Sequence, residues 1–364
     1  MNSRFFDSTS TSPHDDAELD TLVQSLMDRY NVHAVGYALI DNYKIKRVKT
    51  INNMTSEAPS LFQAASFSKS ITAFAVLDLI SQDKIKLDLS INAFMHSWKI
   101  EGSPFNDLIT VRHCLNMTSG LCFGDPGTSL SRYSREAQVP KLLDILCGKA
   151  PATNPPVKVV FEPGSQYYYS GASYTVLQQL IEDIVELPFE TYMNNIILPK
   201  LGMNNSFFEC PLSDDKHAQV IPGYKHDGTQ IEGGWNNIVY SASGGMWSCQ
   251  IDIANFMLHI TDLYETNNDV INEMLSKGLN TDYGLGFVIN GHDDSLNFRK
   301  NGNNAGYHNE FIMFPKCGKG AVIMTNSASG MELINELVAY ASQKLLWPEY
   351  KSDFNEIVSS PTKK

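Results

Sequence analysis

Strand-type segments stand near both ends of this chain, and helical patterns fill the middle. That distribution restricts the fold more than any other feature of the sequence. Residues 34–40 and 43–51 are apolar runs of strand length, separated only by Asp41-Asn42. A link that short joins neighbouring antiparallel strands. After Gly284 four short, largely apolar runs follow, over 285–289, 296–300, 310–314 and 321–325. Turn residues such as Gly291-His292-Asp293 and Lys316-Cys317-Gly318 part them. Helices and loops occupy residues 87–225, with the clearest apolar periodicity over 174–184 and 196–203. Further helices are expected over 16–30, with Leu19, Leu22, Val23, Leu26 and Met27 on one face, and over 331–346.

The economical fold is α+β. One antiparallel sheet is assembled from both chain ends and flanked by the terminal helices, and a mostly helical domain is inserted between them. In residues, this gives a flexible arm over 1–16, a sheet domain from 17–86 and 226–348, a helical domain over 87–225 and a flexible tail over 349–364. A site is expected in the cleft between the two domains.

With 364 residues, 43% of them hydrophobic, the chain can bury a large core. Its formal net charge of −12 disfavours nucleic acid and anionic membranes, which need clustered Lys and Arg. No apolar run approaches the roughly 20 residues of a membrane span. The first sixteen residues lack the basic start and apolar stretch of a secretory signal. Six cysteines without metal-type spacing read as free thiols in a reducing compartment. A cytoplasmic address is expected, or export by a route without an N-terminal signal peptide.

The chemistry starts at Ser66 and Lys69, in a run Gln63-Ala64-Ala65-Ser66-Phe67-Ser68-Lys69-Ser70 that opens an apolar helix. The S-x-x-K spacing puts both side chains on one helical face, about 5–6 Å apart at Cβ. A serine needs a nearby base to become a nucleophile. A lysine can be that base when burial makes it neutral. Free N–H groups at the helix start can hold an oxyanion. Two further segments stand out. Pro163-Gly164-Ser165-Gln166-Tyr167-Tyr168-Tyr169-Ser170-Gly171 precedes a helix, and Phe298-Arg299-Lys300-Asn301-Gly302-Asn303 ends a strand as an Asn- and Gly-rich hairpin.

Together these segments resemble the serine β-lactamase and penicillin-binding protein superfamily. The branch they resemble most holds class C β-lactamases, D-aminopeptidases and family VIII esterases. The resemblance covers about residues 17–348. It is supported in order by Phe62-Gln63-Ala64-Ala65-Ser66, residues 109–121, Leu198-Pro199-Lys200-Leu201-Gly202-Met203, Ser243-Gly244-Gly245-Met246-Trp247-Ser248 and residues 320–326. It implies a β-lactamase/transpeptidase-like fold with Ser66 as nucleophile, Lys69 as its proton partner and Tyr169 as the phenol that protonates the leaving group. Lys300-Asn301-Gly302 matches the Lys-Thr-Gly element, and the Ser66 and Asn303 amides would form the oxyanion hole. Lys69 and Tyr169 both remain open as the acylating base. Gly302 would let the substrate approach the strand closely.

Two departures bear on the substrate. Gly171 stands where the family has Asn, and Asn301 replaces Thr, so both weaken the case for β-lactams. Lys300 points either to an anionic group on the substrate or to charge tuning of Lys69 and Tyr169. Arg299 should face the opposite side of the sheet, as a solvated or paired charge. His113 reads as structural, and His308 with Glu310 is too small a set for a metal. The expected function is a serine hydrolase acting through an acyl-enzyme on a small ester, amide or peptide. No metal or organic cofactor is expected, the substrate is the expected partner, and the oligomeric state is open. The alternatives are acyl transfer to an alcohol or amine, and a drifted binding or scaffold protein.

Overall fold

The computed structural model describes residues 13–53, 61–128, 131–278 and 281–348. Most of the arm expected over 1–16, and all of the tail expected over 349–364, lie outside them. The first helix, α1, spans Pro13–Tyr30. It starts ahead of Asp16 because proline's fixed φ suits a first helical turn. Strands β1 (Ala34–Asp41) and β2 (Lys44–Asn52) follow. Their turn falls on Asn42 and Tyr43, both left-handed with φ of 51° and 60°. A tyrosine tolerates this because it is tied down. Its amide donates to the Gly318 carbonyl at 3.0 Å and its hydroxyl to the Lys316 carbonyl at 2.8 Å.

The remaining strands of the main sheet are β3 (Val288–Asn290), β4 (Asn297–Asn304), β5 (Tyr307–Phe314) and β6 (Lys319–Thr325). The spatial order is β3-β4-β5-β6-β1-β2, antiparallel throughout. Pairing of β6 with β1, from Val35 opposite Thr325 to Ile40 opposite Gly320, joins the two ends of the chain into one sheet. The α+β architecture expected from the sequence is the one present.

Several strand boundaries differ from expectation, and two have a clear local cause. Residues 285–289 give way to β3 because the chain at Gly286 (φ 94°) is pressed against the helix over Phe67–Ser81, where a Cβ would lie 2.7 Å from that of Ala73. The fourth strand does not stop at Lys300. The run Asn301-Gly302-Asn303-Asn304 looks like a turn, yet β5 pairs it throughout, with Asn301 opposite Glu310 and Asn304 opposite Tyr307. The turn falls on Ala305-Gly306 instead.

Helices cover both faces of the sheet. On one, Leu19, Val23 and Leu26 of α1 and Leu333, Ile334 and Leu337 of α5 (Gly330–Lys344) pack on Val35, Ile312 and Ile323. On the other lie α2 (Phe67–Ser81) and α4 (Gln250–Glu265). Helix α2 is apolar all round and almost wholly buried, as a central helix must be. Phe67 of α2 meets Phe311 of β5 at 4.8 Å between ring centroids. Each such buried ring contributes about 1.5–3 kcal/mol. In the central region the longest helix is α3 (Gly171–Val185), which packs on α2. One hydrophobic core therefore runs from the sheet through α2 into α3. Residues 193–197 form a π-helical turn that continues as a short helix over 198–200. No described helix is long and apolar enough to cross a membrane.

Candidate active site

The chain reaches α2 through a kink. Ala65 is buried with φ 51°, a left-handed conformation that costs a non-glycine residue about 1–3 kcal/mol. Ser68 stabilises the kink. Its amide and its Oγ donate to the Ala65 carbonyl at 3.0 and 2.7 Å, and its Oγ accepts from the Met246 amide at 3.0 Å. Ser66 thereby caps the N-terminus of α2, and its amide donates to no other described group.

Strand β4 passes close to this kink, and Gly302 makes that possible. A Cβ at 302 would lie 2.4 Å from the Ala64 carbonyl oxygen. The space beside Gly302 is thus filled by the protein's own turn, which corrects the expectation that it admits substrate. Asn309 clasps the two segments, its Nδ2 donating to the Gln63 and Gly302 carbonyls at 2.9 and 3.2 Å. The close approach brings Asn303 into the same cavity as Ser66.

Lys69 sits one turn into α2 and is 3% exposed. Its Nζ lies 3.3 Å from Ser66 Oγ and donates to the Ser243 carbonyl at 2.6 Å. Burial pushes its ammonium down to about 7. Tyr169 arrives from the segment before α3. The Tyr168 amide donates to the Met117 carbonyl at 2.8 Å, and Ser170 caps α3 by accepting from the Ala172 amide at 3.2 Å. Tyr169 is 43% exposed as a residue and lines the same cavity as Ser66. Burial of its hydroxyl pushes the phenol up to about 12, against the opposite pull of Ser66.

Lys300 is 2% exposed and donates to the Tyr283 hydroxyl. Its Nζ lies 4.7 Å from the centroid of the Tyr169 ring, and Lys69 Nζ lies 5.0 Å from the same ring. Burial, then the charge of Lys69, pushes Lys300 well below the usual lysine range. Among the described residues no carboxylate contacts either amine. Asn301 falls by alternation on the opposite sheet face. That face carries Arg299 and Glu310, a buried pair 3.3 Å apart, as expected for Arg299.

The cavity measures about 330 Å³. Ser66, Lys69, Tyr169, Gly171 and Asn303 line it, whereas Lys300, Asn301 and Gly302 stand behind its wall. Three contributors were not among the site residues expected from the sequence. They are the Ser243 carbonyl, the Tyr283 hydroxyl and the Asn304 side chain, which donates to Gln63 Oε1 at 2.9 Å. Ser243 lies in one of the supporting stretches, and Tyr283 lies in none. His113 is structural, closing a capping box with Thr110.

Such a serine, lysine and tyrosine set can perform acyl chemistry. A profile of the β-lactamase family matches residues 19–343. The chain belongs to the β-lactamase family. Protein flp from Staphylococcus aureus (strain NCTC 8325 / PS 47) is 21% identical over 367 residues, 93% of this chain and 70% of that protein. Among solved structures, a class C β-lactamase mutant superposes with a TM-score of 0.71 at 15% identity, covering 92% of this chain and 100% of its own. D-alanine carboxypeptidase from Burkholderia cenocepacia gives 0.70 at 14%, covering 90% and 99%. These likenesses establish the β-lactamase/transpeptidase-like fold that the resemblance implied.

Proposed function

We propose that this β-lactamase family member is a serine hydrolase working through an acyl-enzyme on Ser66, with Lys69 as base and Tyr169 as acid. The observation that carries the reading is Lys69 Nζ, 3.3 Å from Ser66 Oγ and held by burial near 7. A lysine in that state is partly neutral at neutral pH and can take the serine proton. Tyr169, pushed up to about 12, keeps its proton there and has one to give.

In the proposed cycle Ser66 Oγ bonds to the substrate carbonyl carbon while its proton passes to Lys69. The oxyanion faces the Ser66 and Asn303 amides. The carbonyl re-forms, the bond to the leaving group breaks, and Tyr169 protonates that group. Tyr169 recovers a proton from Lys69, whose ammonium lies beside its ring. Water then attacks the ester carbon, its proton goes to the same network, and the acid departs as Ser66 regains its hydrogen.

A cavity of about 330 Å³ favours a small ester, amide or peptide. Gly171 on its wall offers no side-chain amide to a substrate, which speaks against β-lactams. Lys300, committed to Tyr283 behind the wall, supports the charge-tuning reading over direct contact with a substrate anion. The complete Ser66, Lys69 and Tyr169 set weighs against a drifted scaffold.

Labelling with a fluorophosphonate or a fluorescent penicillin, followed by peptide mass spectrometry, tests the proposal. A single adduct on Ser66, absent in Ser66→Ala, is expected. A folded protein with no adduct there would contradict it.

A further inference from the structure

The two ends of the cavity differ in charge. At one end Tyr169 stands against Lys300, whose Nζ lies 4.7 Å from the centroid of its ring. Both amines on that side are held by the protein, Lys69 by the Ser243 carbonyl and Lys300 by the Tyr283 hydroxyl. The other end follows β4 away from Lys300, past Asn303 and Asn304, and meets the segment 236–244. Hydrogen bonds tie the two together. Asn304 Nδ2 donates to Gln63 Oε1 at 2.9 Å, and Gln63 Nε2 donates to the Asn236 carbonyl at 2.9 Å. Arg132 enters the cavity lining beside that segment. Its backbone is fixed on both sides. The Tyr240 hydroxyl donates to the Ser131 carbonyl at 2.7 Å, and Tyr133 and Ser134 pair antiparallel with Asn237 and Asn236. Its side chain is left free. Arg135, further along, lies over the Trp235 ring at 4.7 Å and donates to the Gly233 carbonyl at 3.3 Å. Arg132 is exposed and, among the described residues, has neither an acceptor nor a carboxylate partner. Asp125, the one carboxylate among the described lining residues, is held by Lys158 at 2.8 Å.

We propose that Arg132 is a specificity residue whose guanidinium takes a free carboxylate at the far end of the substrate's acyl half. The inference rests on the acyl-enzyme reading above and names the substrate class: an ester or amide whose acyl group carries a second, free carboxylate. In that reading Tyr169 protonates the leaving group, so the leaving group departs at the Lys300 end. The acyl half then extends the other way, along Asn303 and Asn304 toward Arg132. A guanidinium keeps its charge throughout the working pH range and meets a carboxylate with two parallel N–H donors. The chain as a whole carries a net charge of −12, so an unpaired cation on the cavity wall is a local attraction in a molecule that otherwise repels anions. Lys300 is enclosed behind the wall, and the substrate anion that the sequence attached to it is read by Arg132 instead.

The test uses pairs of alkyl fluorophosphonates whose chain ends either in a carboxylate or in its methyl ester, over a series of chain lengths. Ser66 Oγ bonds to phosphorus, the P–F bond breaks, fluoride leaves, and the serine proton passes to Lys69. Because fluoride is the whole leaving group, the chain reports on the acyl side alone. The quantity read is the ratio of the two labelling rates at Ser66, so any general loss of reactivity cancels. In the wild type the carboxylate probe should react about tenfold faster at the best chain length, as a charged hydrogen-bonded pair allows. Arg132→Gln should bring the ratio to parity, Arg132→Glu should reverse it, and added salt should shrink it in the wild type. Equal rates in the wild type at every chain length, or a wild-type ratio kept in Arg132→Gln, would overturn the role of Arg132 and leave the nucleophile standing. A folded wild type that neither probe labels on Ser66 overturns the acyl-enzyme reading, and this inference falls with it.

Discussion

At Lys69, burial does two things at once. It makes the amine a usable base near neutral pH, and it makes that amine a burden on the fold. The group is depressed from 10.5 to about 7, so the unfolded chain binds more protons than the native one between those values. Stability therefore rises as pH climbs from about 7 to 10.5, and the penalty is fully present below 7. Lys69→Met should lose Ser66 labelling by roughly a hundredfold or more. It should also melt higher than the wild type at pH 7, by on the order of a few kcal/mol of stability, with the gap closing toward pH 10.5. Calorimetry across that range checks the sign. A variant less stable at pH 7 would mean that the lysine is not paying a desolvation penalty. The S-x-x-K spacing was legible because it is local to one helix. The Ser243 carbonyl that holds Nζ was not, because its place depends on a segment 174 residues away.

Strand β4 and the kink before α2 act as one unit, and Gly302 is where they meet. Gly302→Ala would drive a methyl into the Ala64 carbonyl, 2.4 Å away, and push the strand off the nucleophile turn. Since displacement of about 1 Å at a reacting centre can cost 10²-fold, labelling should fall about that much. Secondary structure, read by circular dichroism, should be retained. Wild-type labelling in Gly302→Ala would show that Asn303 does not depend on the close approach. The same strand shows where sequence reading fails. Asn and Gly at 301–304 have low strand propensity, and only pairing with β5 makes them strand. Alternation still placed Arg299 and Lys300 on opposite faces, because period two survives an error in where the strand ends. That Lys300 is buried on Tyr283 was illegible, since nothing local to either residue signals their contact.

Over the whole molecule, one core links the sheet, α2 and α3, so the two sides of the cavity should not unfold separately. Phe311→Ala, which removes a ring packed on Phe67 and Phe298, should destabilise by about 3–5 kcal/mol. Denaturation followed by tryptophan fluorescence and by far-ultraviolet circular dichroism should give coincident transitions that shift together. Separated transitions would assign the helical region a core of its own. The gross architecture was legible because hairpin spacing at both chain ends demands an antiparallel sheet. The cavity wall was not, because it is built from loops brought together by that sheet. The central claim is that Ser66 is the nucleophile and Lys69 its base. Mass spectrometry of fluorophosphonate-treated protein between pH 5 and 9 tests it most directly. The account predicts one adduct, on Ser66, forming at a rate that rises through pH about 7. A folded protein unlabelled at Ser66, or labelled there at a rate indifferent to pH across that range, would contradict it.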